Sequence, residues 1–200
     1  MKQLVFIHIP HTGGTTMRYI LEKKYKLGWD QTEHENIFNM ILHGANIQKF
    51  TNFDYSMYHC IIGHFPMSKY IYLKNSNWKF VTWIRDPVER MISFYTKRRN
   101  RGFLGGVPDF MEINIVEFSR RWSNSYEKYL DMNLELIDFV GFTETYDESL
   151  KKMGLKVNKY EKRNVGSKQK MRITKDQRNK MKEILHKDYA IYNMLYKRFS

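Results

Sequence analysis

The first apolar run spans residues 3–9, where Leu4, Val5, Phe6, Ile7 and Ile9 surround His8. A short run with β-branched and aromatic members predicts a buried strand. Pro10 to Gly14 predicts a turn. From Thr15 onward, Met17, Ile20, Leu21 and Tyr25 recur at steps of three and four residues, which is helical spacing. A strand, a glycine-containing loop and a helix therefore open the chain. Residues 33–43 predict another helix, and Tyr58 to Ile62 a short strand ending at Gly63-His64. Trp78 to Ile84 is a strongly apolar strand. Asp86-Pro87 follows as a helix start, with Asp86 as N-cap and Pro87 at the first helical position. That helix is expected to reach about Lys97. Residues 113–132 predict helix with a break near Ser123-Asn124-Ser125. Leu136 to Phe142 predicts a strand, and Asp147 to Met153 a helix. Lys156 to Met171 predicts a polar, basic, ordered loop. Thr174 to Phe199 predicts two helices meeting near Lys187-Asp188.

Strands alternating with helices imply an α/β fold, with a central, mostly parallel sheet flanked by helices. Ligands bind such sheets beyond the carboxyl ends of the strands. The loop at 10–16, His64 and the Arg85-Asp86 turn are therefore expected on one rim.

Charge changes the picture once it is located. The net charge is +13, and residues 151–200 hold 16 basic and 4 acidic residues against 18 and 17 in residues 1–150. A second cluster is Lys97-Arg98-Arg99-Asn100-Arg101. Such charge attracts anions (nucleic acid, phosphorylated cofactors, acidic polysaccharide, a membrane surface) or forms a solvated basic tail. The 200 residues suffice for one compact domain, and 42% apolar with 28% charged residues is ordinary for a soluble protein. No apolar stretch approaches the roughly 20 residues that span a bilayer. The short N-terminal run contains a histidine and lacks a small-residue cleavage site, so no secretion signal is expected. Cys60 is the only cysteine, which precludes an intrachain disulfide and a cysteine-rich metal site; core packing is its expected role. A cytoplasmic protein is the expectation.

Two segments carry candidate chemistry. In Pro10-His11-Thr12-Gly13-Gly14-Thr15-Thr16 the glycines permit a tight turn and close approach to a ligand. Backbone amides at a helix N-terminus and the hydroxyls of Thr12, Thr15 and Thr16 would then offer donors to an anion. It is not a Walker A loop, since G-x-x-x-x-G-K-[ST] is absent. The alternative is an ordinary strand-to-helix turn. In the second segment, Arg85 ends a strand, where its guanidinium can hold a phosphate bidentately. Ser93 follows two helical turns after Asp86. The alternative is that Arg85 pairs with a structural carboxylate and Ser93 is incidental.

Together these segments resemble the sulfotransferase family that includes the heparan sulfate 2-O-sulfotransferases and many small bacterial relatives. Pro10-His11-Thr12-Gly13-Gly14-Thr15 resembles the family's P-K-T-G-G-T-type loop. Arg85-Asp86-Pro87-Val88-Glu89-Arg90-Met91-Ile92-Ser93-Phe94-Tyr95 is similar to its R-D-P-x-x-R-x-x-S-x-Y segment. Further similarities are Gly63-His64-Phe65, Val140-Gly141-Phe142-Thr143-Glu144, the late basic loop Lys162-Arg163-Asn164-Val165-Gly166-Ser167-Lys168, and Asp188-Tyr189-Ala190-Ile191-Tyr192. The resemblance is weakest over 100–135. It implies a P-loop-like, sulfotransferase-type nucleotide fold in a single domain over 1–200, with 156–200 closing over the nucleotide.

It further implies a donor, 3′-phosphoadenosine 5′-phosphosulfate (PAPS), and no metal. His64 would be the base. The 12–16 loop (Thr12, Gly13, Gly14, Thr15, Thr16) and His11 would hold the 5′-phosphosulfate and stabilise the leaving oxygen. Arg85 and Ser93 would bind the 3′-phosphate, with Arg163 and Lys168 completing the pocket. Read on their own positions, Arg90 and Glu144 are expected to be ion-pair or helix-cap groups, and His8 and His59, in apolar strands, to be structural. Family analogy favours a carbohydrate hydroxyl as acceptor, and the Lys97 to Arg101 cluster is compatible with an acidic one. Arg120, Arg121 and Trp122 would line an acceptor groove or cover a helix face. No nucleic-acid partner and no membrane span are expected. One departure stands out: His11 replaces the family's loop lysine, so either histidine substitutes for it or activity is reduced or lost. The competing classes are a nucleotide phosphotransferase such as a small kinase, and a non-catalytic nucleotide- or nucleic-acid-binding protein.

Overall fold

The computed structural model describes residues 3–30, 55–100, 113–155 and 171–200. Its five strands are β1 (Gln3–Ile7), β2 (Leu27–Asp30), β3 (Cys60–Gly63), β4 (Trp78–Ile84) and β5 (Phe139–Phe142). They form one sheet in the order β2-β3-β1-β4-β5, with every neighbouring pair parallel. The helices are α1 (Gly14–Glu22), α2 (Pro87–Asn100), α3 (Ile115–Arg121), α4 (Ser125–Leu130), α5 (Tyr146–Lys152), α6 (Lys175–Ile184) and α7 (His186–Phe199). A 3-10 helix spans Met67–Asn75 and a short 3-10 turn Leu134–Leu136. The α/β architecture with a parallel sheet is the one the alternation predicts.

The central strand shows why its sequence does not alternate. Side chains of β1 point to opposite faces in turn. Leu4 and Phe6 pack against Met17, Ile20 and Leu21 of α1 and Leu150 of α5. Val5 and Ile7 pack on the other face, against Tyr126 and Leu130 of α4, Ile191 and Leu195 of α7, and Tyr70 of the 3-10 helix. With both faces covered, both positions must be apolar. A third cluster joins α2, α3 and α6 through Val88, Met91, Phe118 and Met181.

Several boundaries differ from the sequence expectation. Ladder pairing of β1 ends at Ile7, although His8 and Ile9 stay buried. β3 begins at Cys60, which leaves His59 exposed ahead of the strand. β5 begins only at Phe139, because Leu134–Leu136 turns first. α2 runs on to Asn100, and the last two helices meet at Leu185. The edge strand β2 and the 3-10 helix at 67–75 had no sequence signal. The helix expected at 33–43 and most of the 156–171 loop, with Arg163 and Lys168, lie outside the described residues. Among the described residues no helix is long and apolar enough to cross a membrane.

The strand order sets where a ligand belongs. From β1 the chain leaves through α1 toward β2 and β3, whereas from β4 it leaves toward β5 on the opposite side. Adjacent strands whose connections diverge open a crevice at their carboxyl ends. That crevice lies between the loop after Ile7 and the turn after Ile84.

Candidate active site

The loop after β1 is closed by its own threonine. Thr12 is buried, and its Oγ1 donates to the Ile9 carbonyl at 2.8 Å. Its hydroxyl proton is thus committed to loop shape, whereas the sequence reading had it as a donor to an anion. The Thr12 carbonyl accepts from Thr143 Oγ1 at 2.8 Å, and the same hydroxyl lies 3.0 Å from the Ile84 carbonyl. Thr143 therefore ties the loop to the end of β4. Arg85 and Thr12 sit on one rim, as the sequence requires.

Gly13 precedes α1 in the left-handed region, at φ 89°. A Cβ there would come within 2.9 Å of the Tyr146 ring, whose hydroxyl donates to the Gly13 carbonyl at 3.2 Å. At Gly14 a Cβ would stand 1.7 Å from His8 Nε2. No side chain caps the N-terminus of α1 and its first turn carries no acid. Its positive end is therefore not offset, and favours an anion by about 0.3–1 kcal/mol, or about 2 when partly buried. Thr15 and Thr16 occupy that first turn, Thr16 buried.

Two histidines meet behind this loop, and a third, His11, lies within it. His64 follows β3, and its Nδ1 lies 2.7 Å from the His8 carbonyl oxygen. A carbonyl only accepts, so Nδ1 carries the proton and the neutral ring has its lone pair on Nε2. The His8 ring is buried and stacks on His64 with centroids 4.3 Å apart. Trp29 of β2 stands edge-on to both rings. Burial, and then the neighbouring His64, His11, Lys97 and Arg18, hold the His8 pKa well below the usual histidine range. His11 takes a positive φ of 69° and stacks on Phe94 at 4.6 Å. Burial again, followed by Lys97, Arg90 and Arg98, keeps His11 well below the usual range. The site is thus desolvated and ringed by cations. Among the described residues no three His, Cys, Asp or Glu side chains converge as metal ligands.

Ser93 Oγ lies 3.5 Å from His11 Nδ1, which places this serine against the loop. Arg85 leaves β4 half-buried, with its backbone N–H and carbonyl both bonded to the Tyr126 hydroxyl. The nearest carboxylates in sequence are engaged elsewhere. Asp86 Oδ1 accepts from Glu89 N at 3.0 Å, the expected N-cap, and Oδ2 from Tyr189 Oη at 2.9 Å. Glu144 Oε1 accepts from Asp86 N at 2.8 Å, a capping role as read from the sequence. Arg90 is buried and bonds Ser125 Oγ at 2.8 Å. Arg120 and Arg121 pair with Glu117 on an exposed face of α3, while Trp122 packs on Phe94, so this group covers a helix face.

Sequence reasoning missed Tyr126, Trp29, Tyr146 and the place of His8 beside His64. Thr143 and Asp188 fall inside segments already singled out, and those segments were the available signal. Tyr126 lies in the stretch of weakest resemblance and offered none.

The donor set fits a phosphosulfate nucleotide: an uncapped helix end, two glycines without room for side chains, and a cationic surround. The crystal structure of mouse sulfotransferase SULT7A1 complexed with PAP is similar, with 14% identity and a TM-score of 0.45. The similarity covers 79% of this chain and 60% of that one, so the chain spans about three fifths of that neighbour's length. No curated protein matches the chain. The model of the sulfotransferase family matches residues 1–121, which hold the 10–16 loop, His64 and the Arg85 turn, and the chain belongs to that family.

Proposed function

We propose that the protein moves a sulfuryl group from PAPS to an acceptor hydroxyl, with a carbohydrate hydroxyl as the favoured acceptor. The observation that carries this reading is the contact between His64 Nδ1 and the His8 carbonyl at 2.7 Å. It supports the tautomer of a neutral His64 in which Nε2 carries the lone pair, as the assigned base requires. PAPS supplies the sulfur electrophile and departs as adenosine 3′,5′-bisphosphate.

His64 takes the proton of the acceptor hydroxyl as its oxygen bonds to sulfur, because a neutral hydroxyl is a weak nucleophile. The bond that breaks joins sulfur to the 5′-phosphate oxygen. The N-terminus of α1 and His11 face the charge that grows on that oxygen, as fixed donors do for other oxyanions. His11 is held neutral by burial in the cationic surround, and a nucleotide bearing several negative charges would draw it toward the protonated form. Arg85 and Ser93 are assigned to the 3′-phosphate. Arg85 is half-buried and makes no ion pair among the described residues, which leaves that assignment open to it.

Calorimetry with adenosine 3′,5′-bisphosphate tests the donor site. Arg85→Ala is expected to lose about ten- to a hundred-fold in affinity, the worth of a charge-assisted pair. Unchanged affinity removes Arg85 from the site. Labelled-donor transfer onto a panel of glycans tests the reaction. His64→Ala should abolish transfer while nucleotide binding persists, and transfer that survives would dismiss His64 as base. Full transfer activity in His11→Ala would likewise remove His11 from the mechanism.

A further inference from the structure

We propose that Tyr126 is the positioning residue of Arg85, holding its guanidinium where the 3′-phosphate of the nucleotide arrives; the proposal rests on the donor-site reading above. A residue leaving a sheet loses its ladder partners, and its backbone groups must find others. For Arg85 one side chain supplies both. The Tyr126 hydroxyl accepts from the Arg85 N–H at 3.1 Å and donates to the Arg85 carbonyl. One phenol oxygen therefore fixes the peptide groups on each side of the Arg85 Cα, and with them the direction in which the side chain starts.

The phenol is itself anchored. Tyr126 is fully buried on α4, and its N–H donates to Asp188 Oδ1 of α7 at 2.9 Å. The Arg90 guanidinium lies 5.6 Å from the centre of its ring and reaches Ser125 Oγ at 2.8 Å. Asp188 and Arg90 are both buried, so the first turn of α4 is held from two elements. Burial pushes the Tyr126 hydroxyl far above its ordinary range, so it stays a donor at every working pH. On the far side of the turn, Tyr189 and Glu144 hold Asp86. The backbone of Arg85 is clamped while its guanidinium stays half-buried and without a carboxylate partner among the described residues. A cation held in place before its anion arrives loses little freedom on binding.

The test compares adenosine 3′,5′-bisphosphate with adenosine 5′-phosphate, which lacks only the 3′-phosphate. Calorimetry on Tyr126→Phe should show affinity for the bisphosphate falling about two- to ten-fold, the range of one net hydrogen bond, with the monophosphate unchanged. In an Arg85→Ala background the same change should have no further effect on bisphosphate affinity. Equal weakening of both nucleotides, an unchanged ratio, or the same loss in the Arg85→Ala background overturns the proposal. If Arg85→Ala alone leaves bisphosphate affinity intact, the donor-site reading fails first and the proposal falls with it. Should Tyr126→Phe not fold, Ser125→Ala carries the test, since it frees the Arg90 contact without touching the phenol. The same selective, smaller loss is then expected, and an unchanged ratio counts against the proposal.

Discussion

Replacing Gly14 with alanine adds one methyl group where His8 already stands. The new Cβ would lie 1.7, 1.9 and 2.5 Å from His8 Nε2, Cδ2 and Cε1. An unstrained contact needs about 3.5 Å, so ring and helix must part by roughly 1.5–2 Å. The ring has little room to retreat, being 6% exposed and stacked on His64 at 4.3 Å. Overpacking of a filled interior costs about 1–3 kcal/mol, and a ring hemmed on this side belongs in the upper half of that range. For a chain of this size, about 2–3 kcal/mol corresponds to roughly 5–10 °C in Tm. Urea unfolding of four proteins checks it: wild type, Gly14→Ala, His8→Ala and the double variant. The three nearest atoms all belong to His8, so Gly14→Ala should cost nothing once the imidazole is gone. It should even gain a few tenths of a kcal/mol, since alanine is the better helix former and Gly14 stands only at the first helical position. A cost below about 0.5 kcal/mol in the wild type, or the same cost in both backgrounds, would refute the steric reasoning.

Three further outcomes follow from the same contacts. His8 and His11 have folded pKa values below the unfolded value of about 6.5. The unfolded chain therefore binds protons first as pH falls, so their contribution is whole above about pH 6.5 and drops below it by about 1.4 kcal/mol per pH unit for each histidine still neutral. Urea midpoints at pH 7.5 and 5.5 should show this, with a shallower drop in His8→Phe; equal drops would exclude His8 as a source. Lys69 and Asp30 form a buried pair at 2.8 Å, with side chains 5% and 1% exposed, and Tyr70 donates to the same carboxylate. Lys69→Met should cost about 3–5 kcal/mol in urea unfolding, and adding Asp30→Asn should recover part of it; a double variant no better than Lys69→Met contradicts that. Thr143→Val leaves the buried Thr12 carbonyl without its donor and should cost about 1–3 kcal/mol, which Thr143→Ser should restore; thermal melts of the two decide it.

Local pattern made much of this chain legible. The apolar run before Pro10, the Gly13-Gly14 pair and the three- and four-residue spacing after Thr15 are read within one window, and β1, the loop and α1 form where they indicate. Asp86 caps α2 because a carboxylate can reach an amide three residues on without help from the rest of the chain. Cys60 is buried in the core, as an isolated thiol within an apolar run should be. Motif order then brought His64 and Arg85 to notice before any contact was known.

The support of those groups has a different origin. Tyr126 reaches Arg85 across 41 residues, Tyr126 reaches Asp188 across 62, and Thr143 reaches Thr12 across 131. A side chain's neighbours at such separations depend on which strands lie side by side, and no local period encodes that. The same holds for β2, an edge strand of four residues too short to carry a pattern, and for His8, whose apolar surroundings read as core until β3 brought His64 onto its ring. The local sequence decides which residues are able to do chemistry. Packing of the sheet decides which way each one points and what holds it there, because those contacts exist only once distant segments have been brought together.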